Sequence, residues 1–261
     1  TEISEKFNLD ETLSWGALPA LVKQSDPVVR REQLETYVAV YLREEIREEQ
    51  IVRNLDPFTR FLEVAAQTSG KIVNYSKIGR DCNVDSRVVS RYFQILEETL
   101  LGQFLLPYHR SIRKQQGQSP KFYFFDPGVV RGLQNQLNDP PTGQETGILF
   151  EGWFVYEIKK LNSYYRLRLQ IDMWRSGDLE IDLLIRDAKN NGVAIEIKSG
   201  ICNDLSPATI EKFHKDLPQI SIVIASMTDH STRTLKSAIK VMPWRDVLDF
   251  VVEKFRPVQK L

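Results

Sequence analysis

The sequence predicts an α/β protein (α+β overall) in which helices come first and a mixed sheet flanked by helices comes last. Three observations carry this. Residues 166–174 alternate Leu167, Leu169, Ile171 and Met173 against Arg166, Arg168, Gln170 and Asp172, the period-two pattern of a half-buried strand. Two apolar runs follow, 179–185 and 193–198, joined by the turn residues Asn190-Asn191-Gly192. The first half of the chain instead keeps its apolar residues at helical spacing, with caps and turns between.

Residues 1–50 read as a helical segment. Trp15-Gly16-Ala17-Leu18-Pro19 is a turn with apolar anchors, and 27–49 is a helix with Leu34, Val38, Tyr41 or Leu42, and Ile46 near the helical period. Residues 51–135 read as helix, short helix, long helix and hairpin. The first helix, 58–67, spaces Phe58, Phe61, Leu62 and Ala65 along one side. Ser76 is expected to cap a helix over 77–82, and Asp85 or Ser86 to cap one over 87–100. The runs 101–109 and 121–125 would form the hairpin. This is the layout of a winged helix. Its longer helix would present Arg87, Ser90, Arg91 and Gln94 outward, residue types that suit a major groove or its phosphates.

Residues 136–261 form the last domain. A loop at 138–143 leads to a helix over 148–161 and then the three strands. A helix at 207–216, a strand at 220–225, a short strand at 241–242 and a helix at 243–254 opened by proline complete it.

The chain's 261 residues are enough for more than one core, and 42% hydrophobic with 27% charged residues is a soluble balance. No run approaches the roughly 18–20 apolar residues of a membrane span, and no basic-then-apolar signal segment opens the sequence. Cys82 and Cys202 lie far apart and are expected to be reduced thiols of a cytoplasmic protein. His109, His214 and His230 fit no zinc spacing with them. Net charge is zero, yet residues 1–50 hold 6 basic and 11 acidic residues while 51–128 hold 11 and 7. Within 108–121, Arg110, Arg113, Lys114 and Lys121 stand without an acid, either a nucleic-acid contact or a solvated loop.

The candidate chemistry lies in Glu151, Asp182, Glu196 and Lys198. Strand parity puts Glu196 and Lys198 on one face, and pairing of the two strands lets Asp182 and Glu196 converge on one cation. That arrangement binds Mg²⁺ and activates a water beside a phosphate. A lone Glu-x-Lys reads as a surface ion pair, but a carboxylate amid leucines and isoleucines, as at Asp182, is costly to bury. Glu180, two residues before it, is a further acid of the same parity.

A helix bearing Glu, a strand bearing Asp and a strand ending Glu-x-Lys resemble the PD-(D/E)xK nuclease superfamily, the restriction-endonuclease-like fold. The chain as a whole resembles the C-terminal part of a prokaryotic AAA-type ATPase family ending in that domain. The pieces are Trp15-Gly16-Ala17-Leu18-Pro19, Tyr41-Leu42-Arg43-Glu44-Glu45-Ile46, the helix–turn–helix pair and Pro120-Lys121-Phe122-Tyr123-Phe124-Phe125-Asp126-Pro127-Gly128. They continue with Gly147-Ile148-Leu149-Phe150-Glu151, Trp174-Arg175, Glu180-Ile181-Asp182 and Ala194-Ile195-Glu196-Ile197-Lys198-Ser199.

The resemblance implies Mg²⁺ (or Mn²⁺) on Asp182, Glu196 and the Ile197 carbonyl, with Glu151 completing the cluster and Lys198 orienting the water. It implies DNA contacts by Arg87, Ser90, Arg91, Gln94, Arg110, Arg113 and Lys114. Residues 1–50 would be the tail of the ATPase lid. No G-x-x-x-x-G-K-[ST] occurs, so ATP binding is not expected of this chain. The expected partners are DNA and, for a longer parent, its ATPase domain; no membrane is expected, and a homo-oligomer is left open. Two functions compete: a Mg²⁺-dependent DNA phosphodiesterase module, and a non-catalytic DNA- or protein-binding region of the ATPase.

Overall fold

The computed structural model describes residues 7–41 and 55–256. They form a mixed α/β structure that divides into two compact units, each built from separated stretches of chain. One holds the described residues of Lys6–Phe104 together with Ser119–Trp153. The other holds Leu105–Gln118 and the chain from Phe154 onward.

The helical unit begins with α1 (Leu9–Trp15), α2 (Pro19–Val22) and α3 (Pro27–Thr36), which passes into a π-helical turn at Tyr37–Tyr41. The rest of the helix expected to reach 49 lies outside the described residues. Asp26 caps α3 by accepting from Val28 and Val29 N–H, with proline in the first turn. Then come α4 (Leu55–Gln67), α5 (Tyr75–Cys82), α6 (Ser86–Glu98), β1 (Gly102–Leu105), β2 (Lys121–Phe124) and α8 (Pro127–Leu133). A short α7 (Ile112–Gln116) interrupts the β1–β2 connection.

The cap of α5 is Asn74, whose side chain accepts from Lys77 N–H, rather than Ser76, which lies inside the helix. Asn83 follows in the left-handed conformation (φ 56°), which its short polar side chain tolerates, and Asp85 caps α6. Between α4 and α5 the chain runs beside β2. Gly70 N–H bonds the Phe122 carbonyl, Val73 N–H bonds the Pro120 carbonyl, and Ile72 bridges Lys121. Phe58, Phe61, Phe93 and Phe122 are buried, and Phe93 lies 4.9 Å from Phe61 and 4.8 Å from Phe122, ring centre to ring centre.

Two motif segments far apart in sequence meet at the start of α8. The Asp126 carboxylate accepts from Val129 N–H, capping α8, and from Ala17 N–H at 2.6 Å. Gly16 turns there with φ 78°, and a Cβ on Gly128 would stand 2.3 Å from the Trp15 carbonyl oxygen. The backbones approach too closely for any side chain. Beside them the fully buried Arg131 pairs with Glu145 at 2.7 Å and donates to the backbone carbonyls of Ser14, Gln136 and Asp139.

α9 (Gly143–Tyr164) leads to the sheet: β3 (Gln170–Ser176), β4 (Leu179–Arg186), β5 (Gly192–Lys198), β6 (Ser221–Ser226), β7 (Arg233–Thr234) and β8 (Lys240–Pro243). Their order is β3-β4-β5-β6-β8-β7, with β5-β6 and β6-β8 parallel and the other pairs antiparallel. α10 (Pro207–Asp216) connects β5 to β6, and α11 (Trp244–Phe255) closes the chain. Phe213 of α10 stands edge-on to Trp174, 5.3 Å between ring centres. Ile181, Leu184, Ala194, Ile222, Ile224 and Val241 complete that core.

The strand expected from Arg166 starts only at Gln170. Arg166 and Arg168 have φ of 51° and 57°, which no strand accommodates. Asn162 of α9 instead holds both the N–H and the carbonyl of Leu169. Outside the β1–β2 pair, the stretch Leu105–Gln118 lies against β3 in the sheet unit. Met173 N–H bonds the Leu106 carbonyl at 2.9 Å and Tyr108 N–H bonds the Met173 carbonyl at 2.7 Å. This covers an edge strand whose backbone would otherwise be open to pairing.

Candidate functional site

The backbone ladder between β4 and β5 ends at Leu183 and Ile195. One residue further along, the Asp182 carboxylate accepts from Ile197 N–H at 2.8 Å. A side-chain oxygen thus takes over where β4 backbone no longer pairs. The N–H and C=O of one strand residue point to the same side, so the Ile197 carbonyl faces the side on which Asp182 stands. Asp182 and Glu196 are 9% and 7% exposed. Lys198 donates to Glu196 at 2.7 Å and keeps 41% of its side chain in solvent. Asp182, Glu196, Ile197 and Lys198 are therefore gathered at one end of paired strands, two carboxylates buried and the ammonium reaching out.

The segment that follows Lys198 is braced from β6. Met227 N–H bonds the Lys198 carbonyl and the Thr228 hydroxyl bonds the Gly200 carbonyl. Ser226, fully buried, donates to Asp229, which pairs with Arg233 at 2.7 Å, and Arg233 donates to the Cys202 carbonyl. Arg233 and the Ser226 hydroxyl hold the Asp229 carboxyl below its ordinary value. Burial pushes the Cys202 thiol up, as it does Cys82, so neither is a ready thiolate at neutral pH.

Glu151 has its partners in the helical unit. Its carboxylate accepts from Lys121 at 2.8 Å and from the Tyr123 hydroxyl at 2.5 Å. Lys121 is 5% exposed, so it is a buried ion-pair partner and not part of a solvated basic loop. Arg110, Arg113 and Lys114 are exposed, and Arg110 donates to the Asp216 carbonyl. On α6, Arg87, Arg91 and Gln94 are exposed and Ser90 half-buried. Among the described residues, no three His, Cys, Asp or Glu side chains are grouped to hold a metal ion. No helix among them is long and apolar enough to cross a membrane.

The chain belongs to a family described as a domain of unknown function, DUF8612, matched over residues 6–139. Residues 146–247 match a second domain of unknown function, DUF4143. The chain is also similar to an uncharacterised protein of Mycobacterium bovis and one of Mycobacterium tuberculosis. Each is 23% identical over 155 residues, which are 57% of this chain and 34% of the relative. The match thus spans about a third of the length of these curated relatives. No solved structure matches the chain.

Proposed function

We propose that the chain is the C-terminal part of an AAA-type ATPase and that its sheet unit is a PD-(D/E)xK-type DNA phosphodiesterase module. In this reading the helices α4, α5 and α6 with the β1–β2 hairpin act as a winged-helix DNA-binding element. The observation that carries the proposal is the Asp182 carboxylate on Ile197 N–H beside the Glu196–Lys198 pair. Asp182, Glu196 and the Ile197 carbonyl are hard oxygen donors, the set that Mg²⁺ or Mn²⁺ takes along with waters. A metal there would supply Lewis acidity and a more acidic bound water. Lys198, with much of its length in solvent, orients the attacking water and offsets charge on the phosphate. DNA phosphates are held by Arg87 and Arg91 of α6, and by Arg110, Arg113 and Lys114. Glu151, on Lys121 and Tyr123, is assigned a structural part.

The test is cleavage of linear, circular and branched DNA with Mg²⁺ or Mn²⁺, alongside metal titration by calorimetry. Asp182→Ala should lose both metal affinity and cleavage. Lys198→Ala should keep the affinity and lose cleavage by about 10²-fold, the loss of one catalytic group. The second reading is a non-catalytic DNA- or protein-binding region of the ATPase. The lack of a three-residue metal cluster among the described residues favours it. A wild type that neither cleaves nor binds metal decides for that reading.

A further inference from the structure

At the Arg186–Gly192 end of the sheet, four residues along β4 from Asp182 and so roughly 13 Å away, lies a cavity of about 850 Å³. It falls within the size range of small-ligand sites, about 300–1,000 Å³. Its wall holds a chain of four side chains. Gln115 donates its amide to Asp172 at 2.7 Å. Asp172 accepts from Arg186 at 2.6 Å on its other oxygen, and Arg186 donates to the Asn190 side-chain oxygen at 2.8 Å. Asp172 and Arg186 are 7% and 6% exposed, and the Arg186 guanidinium lies 4.3 Å from the centre of the Tyr108 ring.

This chain fixes both amides. Asn190 has given its oxygen to Arg186 and so offers its NH₂ group; Gln115 has given its NH₂ and so offers its oxygen. Neither remaining group has a partner among the described residues. The wall therefore offers one fixed donor and one fixed acceptor beside the flat Tyr108–Arg186 stack. Arg110 and His109 also line the cavity. His109 accepts from Ser111 N–H on Nδ1, which leaves Nε2 as its donor.

From this geometry we infer that the cavity is a nucleotide site, with the base on the Gln115–Asn190 wall and the phosphate at Arg110 and His109. A bare anion fits poorly, since both terminal nitrogens of Arg186 already donate, to Asn190 and Asp172, its Nε is buried, and Asp172 repels it. An apolar ligand would strip the wall amides of hydrogen bonds. A base supplies the acceptor and donor edge that paired side-chain amides read, and a flat face for an aromatic–guanidinium stack. Free nucleotides and the nucleotides of a single strand share this chemistry. The site is separate from the proposed metal centre and does not depend on it.

The test is calorimetry on the full chain with AMP, GMP, CMP and UMP, their nucleosides, inorganic phosphate and a short single-stranded oligonucleotide. At least one nucleotide should bind with Kd at or below about 1 mM, and inorganic phosphate more weakly. Asn190→Gly, at a φ of 61° that glycine accepts, and Gln115→Met should each weaken it about tenfold, with a cooperative melt and an unchanged circular dichroism spectrum showing that the fold is kept. Arg110→Ala should narrow the gap between nucleotide and nucleoside. Tighter binding of the oligonucleotide than of any mononucleotide assigns the site to a strand; the reverse assigns it to the free nucleotide. The inference fails if no nucleotide binds at that concentration, if phosphate alone binds as well, or if Asn190→Gly and Gln115→Met both bind like the wild type.

Discussion

Glu151→Gln separates a structural role for this residue from a catalytic one. The substitution keeps the shape and an acceptor for the Tyr123 hydroxyl, and removes the negative charge 2.8 Å from the buried Lys121 ammonium. At that distance, an effective dielectric of about 20 gives a gross attraction of about 6 kcal/mol. Glu151 keeps 20% of its side chain in solvent, and glutamine still accepts a hydrogen bond, so the net cost is about 2–3 kcal/mol. For a chain of this size that lowers the melting temperature by about 5–10 °C. The assay is thermal and urea unfolding followed by circular dichroism. Lys121→Met with Glu151→Leu should regain most of the loss, because an apolar pair of similar volume needs no counter-charge. A Glu151→Gln protein that melts within about 1 °C of the wild type refutes the reasoning and returns Glu151 to the acidic cluster.

Arg87→Ala combined with Arg91→Ala should weaken DNA binding and reduce the slope of log K against log salt by about 2, since each phosphate contact releases about 0.9 counterion. An unchanged slope removes α6 from the interface. The lowered Asp229 pKa means that its contribution is present above the ordinary carboxylate value of 3.8 and is lost as pH falls through the folded value. Asp229→Asn should accordingly flatten the acid side of the stability profile while changing its alkaline side little, as read from melting temperature against pH. Gly128→Ala drives a methyl into the Trp15 carbonyl and should destabilise by about 2 kcal/mol or more, visible as a lower urea midpoint at unchanged m-value.

The parts of the fold that repeat along the chain were legible in the sequence. The apolar runs that became β4 and β5, the Asn190 turn, and the helix opened by Pro207 need only local periodicity and turn chemistry. The shared face of Glu196 and Lys198 follows from parity, whereas the end of the ladder at Leu183 and Ile195 does not. What escaped depends on partners distant in sequence or on backbone angles that composition does not encode. Lys121 looked like part of a basic loop because its counter-charge lies 30 residues away. Asp172 looked like the solvent side of a strand, yet it is buried against Arg186. The alternation from Arg166 was real as a pattern, but two left-handed residues and the Asn162 side chain delay the strand. Asn74 outcompeted Ser76 as a cap two residues earlier, a choice within the usual latitude of helix boundaries.

The stretch Leu105–Gln118 bears on how this protein can be divided. Sequence families meet between residues 139 and 146, which invites a cut there. A fragment starting at that point would leave behind the residues that hydrogen-bond both sides of Met173, and with them Tyr108 and Gln115. Its outermost strand would be bare, a template for strand pairing with another copy, and Asp172 and Arg186 would lose their cover. The boundary of inheritance and the boundary of stability therefore fall at different places, and dissection of the protein must respect the second: the sheet keeps its edge only when the chain's earlier loop travels with it.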